Sequence, residues 1–111
     1  MIKTDKQVLL RIFLEEGCKY KGRPAYQVLL EYLRTNGFAG ATALRGVEGF
    51  GRHHKMHSAN MLELSTDLPI VVEIVESQEL IDKLKDELER TNMVDGALVT
   101  EQPVLVHRFI S

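Results

Sequence analysis

The residues best equipped for chemistry lie together in "GFGRHHKMHS", from Gly49 to Ser58. Arg52, His53, His54, Lys55 and His57 gather positive charge in a stretch expected to form a loop. Three readings of this cluster stand side by side. Solvated loop bases need no ligand. The same bases can contact a phosphate or another anion. The sharper alternative is a divalent-metal site, with His53, His54 and His57 coordinating zinc or copper beside a carboxylate such as Glu48 or Glu63. No helix fixes that spacing, and histidines titrating near neutral pH would make the loop pH-dependent. Ahead of the bases, Gly49-Phe50-Gly51 lets the backbone approach a ligand closely, and successive N–H groups there can cradle a phosphate. A bulge where a long hairpin bends needs the same glycines. It is not a Walker loop, because no Gly-Lys-Ser/Thr follows.

Elsewhere the chemistry is thin. Cys18 is the single cysteine, which rules out an internal disulfide and suits a reducing compartment. No motif frames it as a nucleophile. Glu15 and Glu16, and Tyr20, Gly22, Arg23 and Tyr26, can line a cleft or simply shape a turn and cap the core. No paired carboxylates, nucleophile elbow or metal signature stands out, so the chain is not expected to be an enzyme. With 111 residues and a formal charge of −2 it has one domain's worth of core, expected to span residues 1–111, and no global field for nucleic acid or anionic lipid. No apolar run approaches membrane-spanning length and "MIKTDKQ" lacks a signal-peptide core, so the expected location is cytoplasmic, without membrane insertion.

The elements that would position these residues follow from periodicity. "QVLLRIFLEE" (7–16) reads as a strand with Val8, Leu10, Ile12 and Leu14 on one face and Leu9, Arg11 and Phe13 on the other. Pro24 suits a first helical turn. Ala25, Val28, Leu29, Tyr32 and Leu33 then recur at helical spacing until Asn36-Gly37. "AGATALRGV" reads as a second strand entering the long loop, and "NMLELS" (60–65) as a strand extending a hairpin arm. After Pro69, "IVVEIVE" sets Ile70, Val72 and Ile74 against Val71, Glu73 and Val75. Ser77 caps a second helix with Leu80, Ile81, Leu84 and Leu88 buried, and "ALVTEQPVLVHRF" is a last strand interrupted at Pro103. The order is β-α-β-β-α-β, an α+β ferredoxin-like sandwich with both helices on one sheet face. The other face stays apolar, which predicts an oligomer built sheet to sheet, with Arg11 and Glu73 paired across neighbouring strands. RNA-recognition motifs share this topology, but the third core strand offers no aromatic on which to stack a base.

"GATALRGVEGFGRHH" followed by "LPIVVEIVESQELIDKL" resembles the PII family of trimeric signalling proteins, and more closely its poorly characterised PII-like branch. That branch shares "LRIFLEE", "GATALRG", "GFG" and "DLP-x-VVEIVE", and the resemblance covers nearly the whole chain. It implies a homotrimer whose intersubunit clefts bind an adenine nucleotide, with no cofactor required. A mobile loop from Gly51 to about Ser65 would report binding to a partner such as a transporter or an enzyme. Carried over by position, Gly40, Ala41, Thr42 and Val75 lie near the adenine, and Gly49, Phe50, Gly51 and Arg52 border the phosphates. The neighbouring chain completes the site with Asp95, Gly96, His107 and Arg108.

Three departures bear on the ligand. Ala97 stands where PII proteins carry a lysine, removing a phosphate contact worth about 1–3 kcal/mol. The spacing from Thr42 to Gly49 is one residue longer than in PII proteins. No tyrosine lies between Arg52 and Thr66 to accept a uridylyl group. ADP or AMP, rather than ATP with magnesium, is the expected ligand, and a different small anionic effector stays open.

Overall fold

The computed structural model describes residues 1–50 and 67–111, together with the backbone of 57–58. Their order is β1 (Ile2–Glu15), β2 (Lys19–Tyr20), β3 (Arg23–Pro24), α1 (Ala25–Thr35), β4 (Thr42–Arg45), β5 (Glu48–Gly49), β6 (His57–Ser58), β7 (Pro69–Glu76), α2 (Gln78–Thr91) and β8 (Leu98–Phe109). The expected loop from Gly51 to Ser65, and the strand at 60–65, fall outside the described residues except for β6, which pairs with β5.

A four-stranded antiparallel sheet runs in the order β4-β7-β1-β8. Alternation decides its faces. Val8, Leu10, Ile12 and Leu14 of β1 and Ile70, Val72 and Ile74 of β7 are buried in one cluster with Ala25, Leu29 and Leu33 of α1 and Ile81, Leu84 and Leu88 of α2. Both helices therefore cover the same face, as the β-α-β-β-α-β order requires. Each fully buried Leu or Ile side chain contributes roughly 1.5–3 kcal/mol relative to exposure. Pro24 is the N-cap of α1, one position ahead of its first turn, and Gly37 follows the C-cap Asn36 at φ +84°. The left-handed backbone that costs glycine nothing ends the helix there. At α2, Ser77 Oγ accepts the N–H of Leu80 at 3.3 Å.

Register resolves the other face into rows. Leu44, Val71, Phe13 and Leu98 form an apolar row across all four strands, and Thr42, Glu73, Arg11 and Thr100 a polar one beside it. Arg11 Nε donates to Glu73 Oε2 at 2.7 Å, the expected pair. Phe13, Leu44, Val75 and Leu98 remain 37–65% exposed, so this face is largely uncovered in a single chain.

Two expectations about strand limits are corrected. β1 begins at Ile2 rather than Gln7, because residues 2–7 pair with 104–109 and extend β1 and β8 as a two-stranded arm. Pro103 does not interrupt β8, which runs continuously from Leu98 to Phe109 with Pro103 opposite Val8. β8 is an edge strand, where a missing N–H is tolerated on the unpaired side.

Candidate functional site

The end of β1 is tied to the start of β7 by several bonds. Glu16 N–H donates to the Leu68 carbonyl at 2.8 Å, Gly17 N–H to Asp67 Oδ1 at 2.7 Å and Gly46 N–H to the Pro69 carbonyl at 2.7 Å. Arg45 pairs with Glu16. A side chain at Gly49 would meet Pro69 Cγ at 3.1 Å, so this glycine lets β5 pack onto the proline.

Against this junction lies a cleft of about 640 Å³. Phe13, Phe50, Val71 and Leu98 give it an apolar wall, Gly49, Gly96 and Ala97 leave room, and Glu15, Glu48 and Asp95 bring carboxylates. Cys18 also lines it, with Sγ 4.0 Å from the Asp95 carbonyl. Burial first, and then the fields of Asp95, Glu15 and Asp67, push the Cys18 thiol above its ordinary 9.0. That places the thiol in a negative field, the opposite of what activates a nucleophilic cysteine. Among the described lining residues there is no base. The cleft can take an apolar or aromatic body, but an anionic group there needs bases from elsewhere.

The residues expected at the adenine form a separate group at the sheet edge. The β4–β7 ladder starts at Thr42 opposite Glu73, and Gly40 lies just before it, next to Ala39, whose N–H bonds the Glu76 side chain at the end of β7. Gly40 has no positive φ, and a Cβ built there meets nothing within 4 Å. Neither backbone geometry nor packing among the described residues demands glycine here. Val75, the residue before Glu76, is 38% exposed. From Val71 at the cleft to Val75 is about 13 Å at roughly 3.3 Å per residue.

Asp95 and Gly96 line the same cleft as Gly49 and Phe50 of their own chain. His107 and Arg108 do not join them. Leu98 to His107 is about 30 Å along β8 at roughly 3.3 Å per residue. The two side chains also diverge: His107 Nδ1 is 2.9 Å from Thr4 Oγ1, and Arg108 Nη1 is 3.2 Å from Asp5 Oδ2, on opposite strand faces. Gly51, Arg52, His53, His54 and Glu63 lie outside the described residues, and of His57 only the backbone, opposite Gly49, is described. Among the described residues no group of three or more His, Cys, Asp or Glu is placed to hold a metal ion.

One residue escaped the sequence reading. Glu76 is 8% exposed, and its Oε2 accepts the Ala39 N–H at 2.7 Å. Parity was the available signal, since Glu76 follows Ile70, Val72 and Ile74 on the buried face of β7.

Residues 7–106 match the DUF190 family, described as "Uncharacterized ACR, COG1993". A UPF0166 protein of Aquifex aeolicus is 36% identical over 87 residues, 78% of this chain and 83% of that relative. The UPF0166 protein MJ1524 of Methanocaldococcus jannaschii is 29% identical over 94 residues, 85% of this chain and 86% of that protein. Among solved structures, CPII from Thiomonas intermedia K12 is a nitrogen regulatory PII-like protein bound to ADP, AMP and bicarbonate. It superposes with a TM-score of 0.71 at 21% identity, covering 96% of this chain and 92% of CPII. The apo form of CPII gives 0.64 at 18% identity, covering 97% and 99%. The fold is PII-like.

Proposed function

The chain belongs to the DUF190 family, and from that premise we propose that it is a PII-like regulatory protein that binds an adenine nucleotide between subunits. The observation that carries the reading is the open position at Gly40, linked through the Ala39–Glu76 bond to the exposed end of β7 at Val75, about 13 Å along that strand from the apolar cleft. An adenine at the edge and phosphates reaching toward the Gly49 end match the length of a nucleotide. CPII bound to ADP, AMP and bicarbonate supports this ligand class.

The acidic cleft supports an intersubunit site. Glu15, Glu48 and Asp95 repel phosphate, so its charge is balanced by Arg52 and by Arg108 or His107 from another copy. The arm formed by β1 and β8 carries those two bases far from their own cleft, as a head-to-tail ring requires. A homotrimer of residues 1–111 as single domains would also cover the exposed apolar row. The reading involves no catalysis. Signalling follows if the nucleotide prefers one arrangement of the Gly51 to Ser65 loop, which then docks on a transporter or enzyme; a ligand indifferent to the loop would shift nothing.

The test is calorimetric titration with ATP, ADP, AMP and cyclic AMP, with and without magnesium, on protein whose mass is measured in solution. The expected result is a trimer with saturable binding near one site per chain. Arg52→Ala should abolish binding and Arg108→Ala weaken it. Absence of heat and of thermal shift with every nucleotide overturns the proposal.

A further inference from the structure

We infer that Glu76 is a positioning residue for the adenine end of this site, holding the Gly40 backbone at its distance from Val75; the inference rests on the nucleotide reading above. Glu76 is the buried charged side chain among the described residues, and its partner Val8 places it on the helix-covered face. A carboxylate there is tolerated only if hydrogen-bonded. Its bonds go to two separate segments. Oε2 accepts the Ala39 N–H at 2.7 Å, and Oε1 accepts the N–H of Ser77, the α2 cap, at 3.4 Å.

Those segments flank the proposed adenine. α1 is closed off by the Phe38 N–H on the Leu33 carbonyl, and the β4 ladder begins at Thr42. Between them run Ala39, Gly40 and Ala41, of which the first two are exposed, and a Cβ built at Gly40 meets no described residue within 4 Å. Ala41 packs against the core at one end, but the exposed Ala39 and Gly40 have no such anchor. The Ala39–Glu76 bond supplies one, and Glu76 is covalently adjacent to Val75. One carboxylate thus sets the separation of the two backbone stretches that would flank the base. A distant packing residue could not do this, because it would not touch both.

The experiment compares Glu76→Gln, Glu76→Asp and Glu76→Ala in the full chain, at temperatures well below each variant's melting point. Glutamine keeps a carbonyl that can accept the Ala39 N–H. Aspartate keeps the charge but is one methylene too short, and alanine removes both. Aspartate and alanine should weaken AMP, ADP and ATP by the same factor, about tenfold or more, while glutamine stays within about threefold of the parent. The common factor marks the adenine end, since a phosphate-end defect would grow with phosphate number. Amide exchange at Ala39 to Ala41 should quicken in the aspartate and alanine variants without nucleotide present. If the parent binds and all variants bind equally, or lose only melting temperature, the positioning role is overturned alone. If the parent binds no adenine nucleotide, the nucleotide reading falls and this inference with it.

Discussion

Gly17→Ala probes the clamp between the end of β1 and the start of β7. The Gly17 N–H donates to Asp67 Oδ1 at 2.7 Å, and a Cβ at this position would lie 2.8 Å from that same oxygen and 3.1 Å from its Cγ. Those separations cannot persist, so the carboxylate withdraws and the bond breaks. A hydrogen bond to a charged acceptor is worth roughly 1.5–3 kcal/mol when sheltered and nearer 1 kcal/mol at an exposed site such as this. Gly17 does not have a positive φ, so alanine fits the backbone and, by restricting the unfolded chain, returns about 0.4–1 kcal/mol. The carboxylate is the end of a flexible side chain and swings aside at little steric cost, so the net expectation is a destabilisation of at most about 0.6 kcal/mol. In urea, at fixed protein concentration, the midpoint should fall by roughly 0.2–0.5 M. The decisive step is to repeat the substitution in an Asp67→Ala background. Clash and bond are then both absent, and Gly17→Ala should become neutral or mildly stabilising. An equal cost in both backgrounds would refute the clamp.

Leu84→Ala empties a fully buried position in α2 and should cost about 2–5 kcal/mol by urea denaturation, whereas a loss below 1 kcal/mol would mean that the helix–sheet core is looser than described. Cys18, its thiol pushed up by burial and then by Asp95, Glu15 and Asp67, should react with iodoacetamide at pH 8 more slowly than free cysteine; Asp95→Asn should speed it roughly two- to threefold. No change in that variant would remove the negative field from the cleft. The Lys85 hydrogen bond, followed by that from Gln78, holds Glu101 below its ordinary 4.5. A carboxylate with a depressed folded pKa stabilises the protein above the unfolded value and loses that contribution as pH falls through the folded one. The difference in urea midpoint between parent and Glu101→Gln should therefore be present at pH 7 and vanish on acidification below about 4.5. A difference that persists unchanged at pH 3 would contradict the assignment.

The sheet's interior was legible because one face is buried: period-two alternation in β1 and β7 leaves a single register that hides Leu10, Ile12, Val72 and Ile74 together and brings Arg11 to Glu73. The arm was not legible, since residues 2–7 and 104–109 extend past the helices with polar and apolar residues mixed on both sides, so alternation carries no signal. Pro103 misled because its effect depends on being at an edge, which is a property of the finished sheet. At the candidate site, "GATALRG" and "GFG" drew attention to two stretches but could not reveal why each glycine is there. Pro69 explains Gly49, nothing among the described residues explains Gly40, and both facts need coordinates. The acidity of the cleft was equally hidden, because Glu15, Glu48 and Asp95 come from three separate parts of the chain.

The sheet order also has a consequence for biosynthesis. β1 is made first yet ends up in an interior position, flanked by β7 and β8. Its hydrogen-bonding edges and apolar rows cannot be satisfied until partner residues 54 to 107 positions downstream have emerged from the ribosome. Until then the nascent chain carries an unpaired fourteen-residue strand, the kind of segment that seeks wrong partners. Loop closure over such separations makes late, all-at-once assembly the expected route, with the sheet zipping only when the final strand arrives.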